Sequence, residues 1–187
     1  MAIKTFTTGE VLTASDTNTY LANSGLVYIT SATFSTTALD GIFTSDYDNY
    51  RIVVRNVTQT GTNGLIQYNY RNTSNATDNS ALYYTAGLRY DNGTAYNYSI
   101  NTGTTAETAV NSAAGTSYIG FAMDIFSPRL AVNTMATVQG TGSITAISAC
   151  QSSNIFNANT VFAGIIFKLS AGTITGGTVT VYGYRKA

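Results

Sequence analysis

Apolar and polar residues alternate along most of the chain after Gly25, and this period of two predicts β-strands with one buried face. The alternation is strict in residues 119–125 and 66–71, where Ile, Phe, Met and Tyr occupy every second position. Residues 161–169 instead form a nearly continuous apolar run, which predicts a central strand. Further strands are expected in residues 27–36, 50–57, 82–90, 134–140, 144–151 and 179–184.

Turn signals separate these segments and favour antiparallel connections. Asp91-Asn-Gly93 lies between two alternating segments and predicts a tight hairpin, because Asn and Gly tolerate positive φ. The glycines at 140–142 and 172–177 predict further turns, and Pro128 is expected to end a strand. With no apolar period of helix length after residue 25, the chain is expected to be all-β, an antiparallel β-sandwich or jelly roll of about nine strands.

The first residues follow a different pattern and predict a short helical arm. Residues 14–22 are the only credible helix, with Thr13 as its N-cap and Gly25 at its end. The sequence therefore predicts an arm at 1–24 and a β-sandwich domain at 25–187. A helix this short with a small apolar face is not stable alone. It is expected to pack either on the end of its own sandwich or on a neighbouring protein.

Charge is scarce in this sequence. Only 10% of residues are charged, and nine acidic residues balance nine basic ones. Without a basic patch the chain is not expected to bind nucleic acid, and near-zero net charge favours association between chains. The opening residues lack the apolar region of a signal peptide and no window is long enough for a membrane span, so synthesis in a cytoplasm without membrane insertion is expected.

The residue types needed for most enzyme chemistry are missing. Histidine is absent and Cys150 is the single cysteine, expected to act as a small buried hydrophobe. Two carboxylates would suffice for a glycosidase, but no paired-carboxylate motif is present, and Asp124 is expected to have a structural or surface role. The sequence therefore predicts a non-enzymatic protein with no cofactor.

Two features could still bind a ligand. Asp46 and Asp48 in a Thr-Ser-Asp-Tyr-Asp-Asn segment are a weak candidate for calcium, although Asp and Asn before a strand more often form turns, so no metal is expected. Among the fourteen tyrosines, Tyr83, Tyr84, Tyr96 and Tyr98 could stack on sugars or lie in an interface. Packing in the core or between chains is the alternative for each of these rings.

Three segments resemble proteins of tailed-bacteriophage particles, particularly virion structural and tail-fibre-like proteins of phages of marine hosts. Residues 4–18 are similar to the F-x-x-G-x-x-L-T-A-x-D-x-N opening of many such chains, and residues 48–54 and 179–185 resemble strands of their sandwich domains. The resemblance implies a multi-copy surface protein attached through its amino-terminal arm. The resemblance and the helix pattern together select the residues expected to mediate attachment. These are Phe6, Leu12, Asp16, Asn18, Tyr20 and Leu21.

The expected function is therefore that of a structural virion component, either a tail fibre or appendage or a capsid decoration subunit. Its expected partners are other virion proteins and further copies of itself, a trimer being one expected form. The expected location is the virion, after synthesis in the host cytoplasm. The alternative is a carbohydrate-binding module that recognises a host surface glycan.

Overall fold

The computed structural model describes residues 7–11, 13, 25–35, 38–61, 63–91, 93–112, 119–143 and 147–186. These residues form eleven β-strands and no helix. The strands are β1 Leu26–Thr33, β2 Tyr47–Thr60, β3 Gly64–Asn72, β4 Tyr83–Asp91, β5 Thr94–Gly103, β6 Ala106–Ser112, β7 Ile119–Phe126, β8 Thr134–Ser143, β9 Ile147–Phe156, β10 Phe162–Leu169 and β11 Thr173–Arg185.

The strands form two sheets in which every neighbouring pair is antiparallel. The large sheet has eight strands in the order β1-β11-β2-β7-β8-β9-β4-β5, and the small sheet has three in the order β10-β3-β6. The small sheet packs on one face of the large one, so the fold is sandwich-like and the predicted all-β antiparallel class is confirmed. The large sheet therefore has an inner face against the small sheet and an outer face away from it.

The predicted number of about nine strands was too low, because the sequences of β5 and β6 show little of the alternation that predicts a strand. Every residue of β6 except Glu107 is buried, so Ala106–Ser112 shows no alternation in polarity. Most residues of β5 are exposed on both faces, so its sequence shows no buried apolar face. The Asp91-Asn-Gly93 hairpin is confirmed: Asp91 pairs with Thr94, and Gly93 has a φ of 88°.

The core is formed by the residues that alternation places inward. Burial in β7 alternates over all eight residues, and in β2 Ile52 and Val54 are buried while Val53 is half-buried. An aromatic cluster joins the two sheets, with the Phe167 ring of the small sheet 5.2 Å from Phe34 and 6.0 Å from Phe121. Removal of such rings from water is the main stabilising term for a domain of this kind.

The prediction of a central strand at 161–169 was wrong. β10 is an edge strand of the small sheet. Its free edge is covered by the segment before β2: the Leu39 N–H donates to the Ile165 carbonyl at 2.8 Å, and the Ile165 N–H donates back at 3.1 Å. An apolar run indicates burial but does not give the position of a strand in its sheet, and here a loop segment protects the edge of an apolar strand.

The prediction of a turn at Gly140–Gly142 was also wrong, since both glycines lie inside β8. A Cβ at Gly140 would come within 2.5 Å of the Gly120 carbonyl oxygen, and one at Gly142 within 2.8 Å of the Asn111 backbone. These glycines therefore allow close approach of neighbouring backbones. Pro128, by contrast, follows the end of β7 as predicted.

The predicted helix at 14–22 lies outside the described residues. Within the part of the chain that the structure describes, no helix is long and apolar enough to cross a membrane.

Candidate interaction surface

The outer face of the large sheet carries no charged side chain over four adjacent strands, β8, β9, β4 and β5. We call this surface the uncharged face. Its side chains point away from the small sheet, and all except half-buried Tyr84 are exposed. They are Met135, Thr137, Gln139 and Thr141 of β8, Ile147, Ala149, Gln151, Ser153 and Ile155 of β9, Tyr84, Ala86, Leu88 and Tyr90 of β4, and Ala95, Asn97 and Ser99 of β5.

Large apolar side chains are prominent on the uncharged face. Leu88, Tyr90, Met135, Ile147 and Ile155 are between 42% and 71% exposed. Shallow depressions separate them, among them one of about 390 Å³ between β8 and β9. Extended exposed apolar patches on soluble proteins mark contact surfaces.

The inner side of the same strands is more polar than an ordinary core. β9 alternates perfectly between exposed and buried residues, yet its buried positions include Ser148, Ser152 and Asn154. The Thr85 hydroxyl donates to the Asn154 side-chain oxygen at 2.6 Å, and the Ser152 hydroxyl donates to the Glu107 carbonyl at 3.1 Å. β9 therefore lacks the apolar-in, polar-out distribution of a sheet with one solvated face.

The other half of the outer face, on β1, β11, β2 and β7, has a different character. The Tyr184 hydroxyl donates to Asp124 Oδ1 at 2.7 Å, and Arg51 Nη1 lies 3.4 Å from both Asp124 oxygens. The hydrogen bond with Tyr184 raises the pKa of the Arg51 guanidinium, and burial raises the pKa of Tyr184. Asp124 therefore lies in a hydrogen-bond network on the outer face, in agreement with the structural or surface role expected of it. Beside this network, the rings of Tyr28 and Tyr182 meet edge to face at 6.2 Å.

The four tyrosines selected from the sequence do not form one platform. Tyr83 is 1% exposed, and its hydroxyl accepts from the Tyr70 N–H at 3.0 Å and donates to the Asp78 carbonyl at 3.1 Å, so this ring is a core residue. Tyr84 lies on the uncharged face, whereas Tyr96 and Tyr98 lie on the inner side of the β4–β5 hairpin. Tertiary structure therefore distributes these rings over three environments.

Tyr96 and Tyr98 flank a buried arginine. The Arg89 guanidinium carbon lies 4.5 Å from the Tyr96 ring centre and 5.3 Å from that of Tyr98. Arg89 Nε donates to Asp91 Oδ2 at 2.6 Å, and Arg89 Nη1 donates to the Tyr98 hydroxyl. Stacking and ion pairing together hold the two rings in place and neutralise the charge.

Carboxylates elsewhere are engaged in local contacts. The Thr44 hydroxyl donates to Asp46 Oδ2 at 3.1 Å, while Lys186 Nζ pairs with Asp48 Oδ1 at 2.8 Å. Arg71 pairs with Asp40. Among the described residues, no group of three or more His, Cys, Asp or Glu side chains could hold a metal ion. Of the two carboxylates considered for calcium, Asp46 lies in a turn and Asp48 is ion-paired with Lys186.

Cys150 lies on the inner side of β9, and burial raises the pKa of its thiol. It is thus placed as the small buried hydrophobe that the sequence predicts. The residues selected for attachment, Phe6, Leu12, Asp16, Asn18, Tyr20 and Leu21, all lie outside the described residues.

The sequence patterns did not lead to a prediction of the uncharged face, although the sequence contains an indication of it. No charged residue occurs between Arg129 and Lys168, a stretch that contains β8 and β9. Alternation shows that each strand has two faces, but only pairing with β4 and β5 shows that four uncharged outer faces are contiguous.

Comparisons with protein-family models, with curated proteins and with solved structures find no match to this chain.

Proposed function

We propose that this protein is a non-enzymatic structural subunit of a bacteriophage particle, present in many copies as a tail appendage or capsid decoration and attached through residues 1–24. The observation that carries the proposal is the uncharged face, a broad sheet surface with exposed Leu88, Ile147 and Ile155. The similarity of residues 4–18 to the opening of phage particle proteins supports the choice of assembly.

The chemistry of the face favours contact with protein. Burial of apolar surface stabilises a contact by about 25 cal/mol per Å². Because the face carries no charge, covering it desolvates no ion, which would otherwise cost several kcal/mol for each unpaired group. Contact between copies of this neutral chain would bury apolar surface without desolvating an ion, since each copy offers an equally neutral surface.

The proposal is tested in phage particles grown from a genome that carries this gene. We expect the chain to be present in purified particles in multiple copies, as measured by quantitative mass spectrometry. Leu88→Glu places a charge in the middle of the uncharged face and should reduce incorporation at least about tenfold, as expected if burying the charge costs more than about 1.4 kcal/mol.

A matched control keeps the charge and moves its position. Thr33→Glu adds the same carboxylate to an exposed site on β1, away from the uncharged face, and should incorporate normally. Particles that lack the chain altogether would disprove the structural role, and normal incorporation of the Leu88→Glu protein would exclude the uncharged face as the contact surface.

Carbohydrate recognition is the second candidate function, favoured by the polar and aromatic cluster on the other half of the outer face. Tyr28 is 60% exposed beside Tyr182, and the Arg51–Asp124 pair supplies hydrogen-bonding groups next to these rings. Rings beside paired charged groups are suited to stacking on sugars.

A binding assay against bacterial surface glycans tests this second function. Binding should be lost in Tyr28→Ala and retained in Tyr96→Ala, which removes an exposed ring from a different part of the molecule. The absence of glycan binding by the unmodified protein would count against it.

A further inference from the structure

Within the part of the chain that the structure describes, residues 94–100 of β5 form an exposed sheet edge that lacks the usual protection. Edge strands normally avoid pairing by means of charges, proline, bulges or a covering segment. β5 has no charged residue and no proline, and it ends the large sheet among the strands that the structure describes. Its register with β4 shifts only after Ile100, so the edge is regular over residues 94–100. The β10 edge is covered by Leu39, and the shorter β1 edge is interrupted by a bulge near Ile29.

The hairpin geometry identifies the groups on the free edge. Two residues separate the paired Asp91 and Thr94, and in such a hairpin the flanking pair exchanges backbone hydrogen bonds. Backbone groups then alternate along the strand, so those of Tyr96 and Tyr98 point to β4. Those of Ala95, Asn97 and Ser99 point away from the sheet.

We propose that this edge pairs with β5 of a second copy of the chain, antiparallel and across a two-fold axis at Asn97. This inference rests on the proposed multi-copy function and specifies one of its contacts. In this register Ala95 lies opposite Ser99 of the other copy, and Asn97 lies opposite Asn97. The two sheets then form one continuous sheet.

Three observations select a second copy as the partner. A two-fold axis at Asn97 places the outward backbone groups of the two copies opposite each other, so the Asn97–Asn97 pair and the two Ala95–Ser99 pairs are hydrogen-bonded. It also places Tyr96 of each copy opposite Tyr98 of the other, and aromatic cross-strand pairs stabilise sheets. Finally, the edge is neutral, as is the Arg89–Asp91 pair beneath the rings, so an equally uncharged strand fits without burying an unpaired ion.

Arg89 prepares the rings for this contact. Its guanidinium stacks on both tyrosines and is itself only 8% exposed, so the rings are ordered before a partner arrives. Ordering in advance reduces the entropy lost on association.

Cysteine cross-linking of the full chain tests the register. Asn97→Cys should form a covalent dimer on mild oxidation, because opposed residues on antiparallel strands are within disulfide reach. Ser99→Cys is the matched control on the same strand and face, with its counterpart about 13 Å away along the paired strand. We expect about tenfold less dimer from it, whereas a mixture of the Ala95→Cys and Ser99→Cys proteins should cross-link.

Sedimentation tests the association without cysteines. The unmodified protein should show a concentration-dependent dimer, and Asn97→Pro should remain folded but monomeric, because proline removes only an edge-facing N–H. Asn97→Ala keeps that N–H and should dimerise normally.

The inference is overturned if the unmodified chain stays monomeric at all concentrations, or if Ser99→Cys cross-links as well as Asn97→Cys. A monomer that still enters particles would refute the β5 contact alone, whereas a dimer that is absent from particles would refute the proposed virion function alone.

Discussion

Replacing Phe167 with alanine should lower the free energy of unfolding by about 3–5 kcal/mol, which is a large share of the stability of a single domain. The ring is 1% exposed and packs against Phe34, Tyr68 and Phe121, so its removal leaves a cavity between the two sheets. Chemical denaturation followed by circular dichroism measures the change.

Tyr28→Ala is the control for this experiment. It removes an aromatic ring of similar size from an exposed position on β1, and the expected loss is below about 1 kcal/mol. Equal losses from the two variants would contradict the placement of the core between the large and small sheets.

Raising the pH above 10 should unfold the protein cooperatively. Burial raises the pKa of Tyr68, Tyr70 and Tyr83 above the ordinary value of 10.0, so the folded chain keeps three phenolic protons that the unfolded chain loses. The contribution of these three protonated phenols to the free energy of unfolding is complete below pH 10. It is lost as the pH rises beyond 10, at about 4 kcal/mol per pH unit for three protons.

Absorbance of ionised tyrosine and circular dichroism, followed together during an alkaline titration, measure this effect. Part of the absorbance change should coincide with unfolding, and Tyr70→Phe should reduce the slope of stability against pH by about a third. Ionisation of every tyrosine near pH 10 while the sheets remain intact would contradict the burial of these three groups.

Local patterns in the sequence were sufficient for the fold class. Alternation in residues 119–125 places a side chain on one face or the other through the geometry of a single strand, and it predicted β7 correctly. The hairpin at Asp91-Asn-Gly93 follows from the φ angles that Asn and Gly tolerate. Both features depend on near neighbours in the chain, so the sequence contains all the information they need.

The candidate surface depended on contacts between distant residues. Gly140 is a residue typical of turns, yet it lies inside β8. A glycine is required at this position because the Gly120 backbone lies too close for a side chain. Tyr83 and Tyr84 are adjacent in sequence, yet one is in the core and the other is on the uncharged face. No local pattern distinguishes such positions, because the neighbour that decides each one lies on another strand.

By itself, the sequence determined that this protein is all-β and antiparallel and that it carries little charge, because strand period, turn chemistry and composition are local properties. Only the tertiary structure decided that β10 is an edge strand and that four uncharged strands are adjacent. It alone placed β5 at the end of the large sheet among the described strands, because strand order is set by long-range pairing that no local segment encodes.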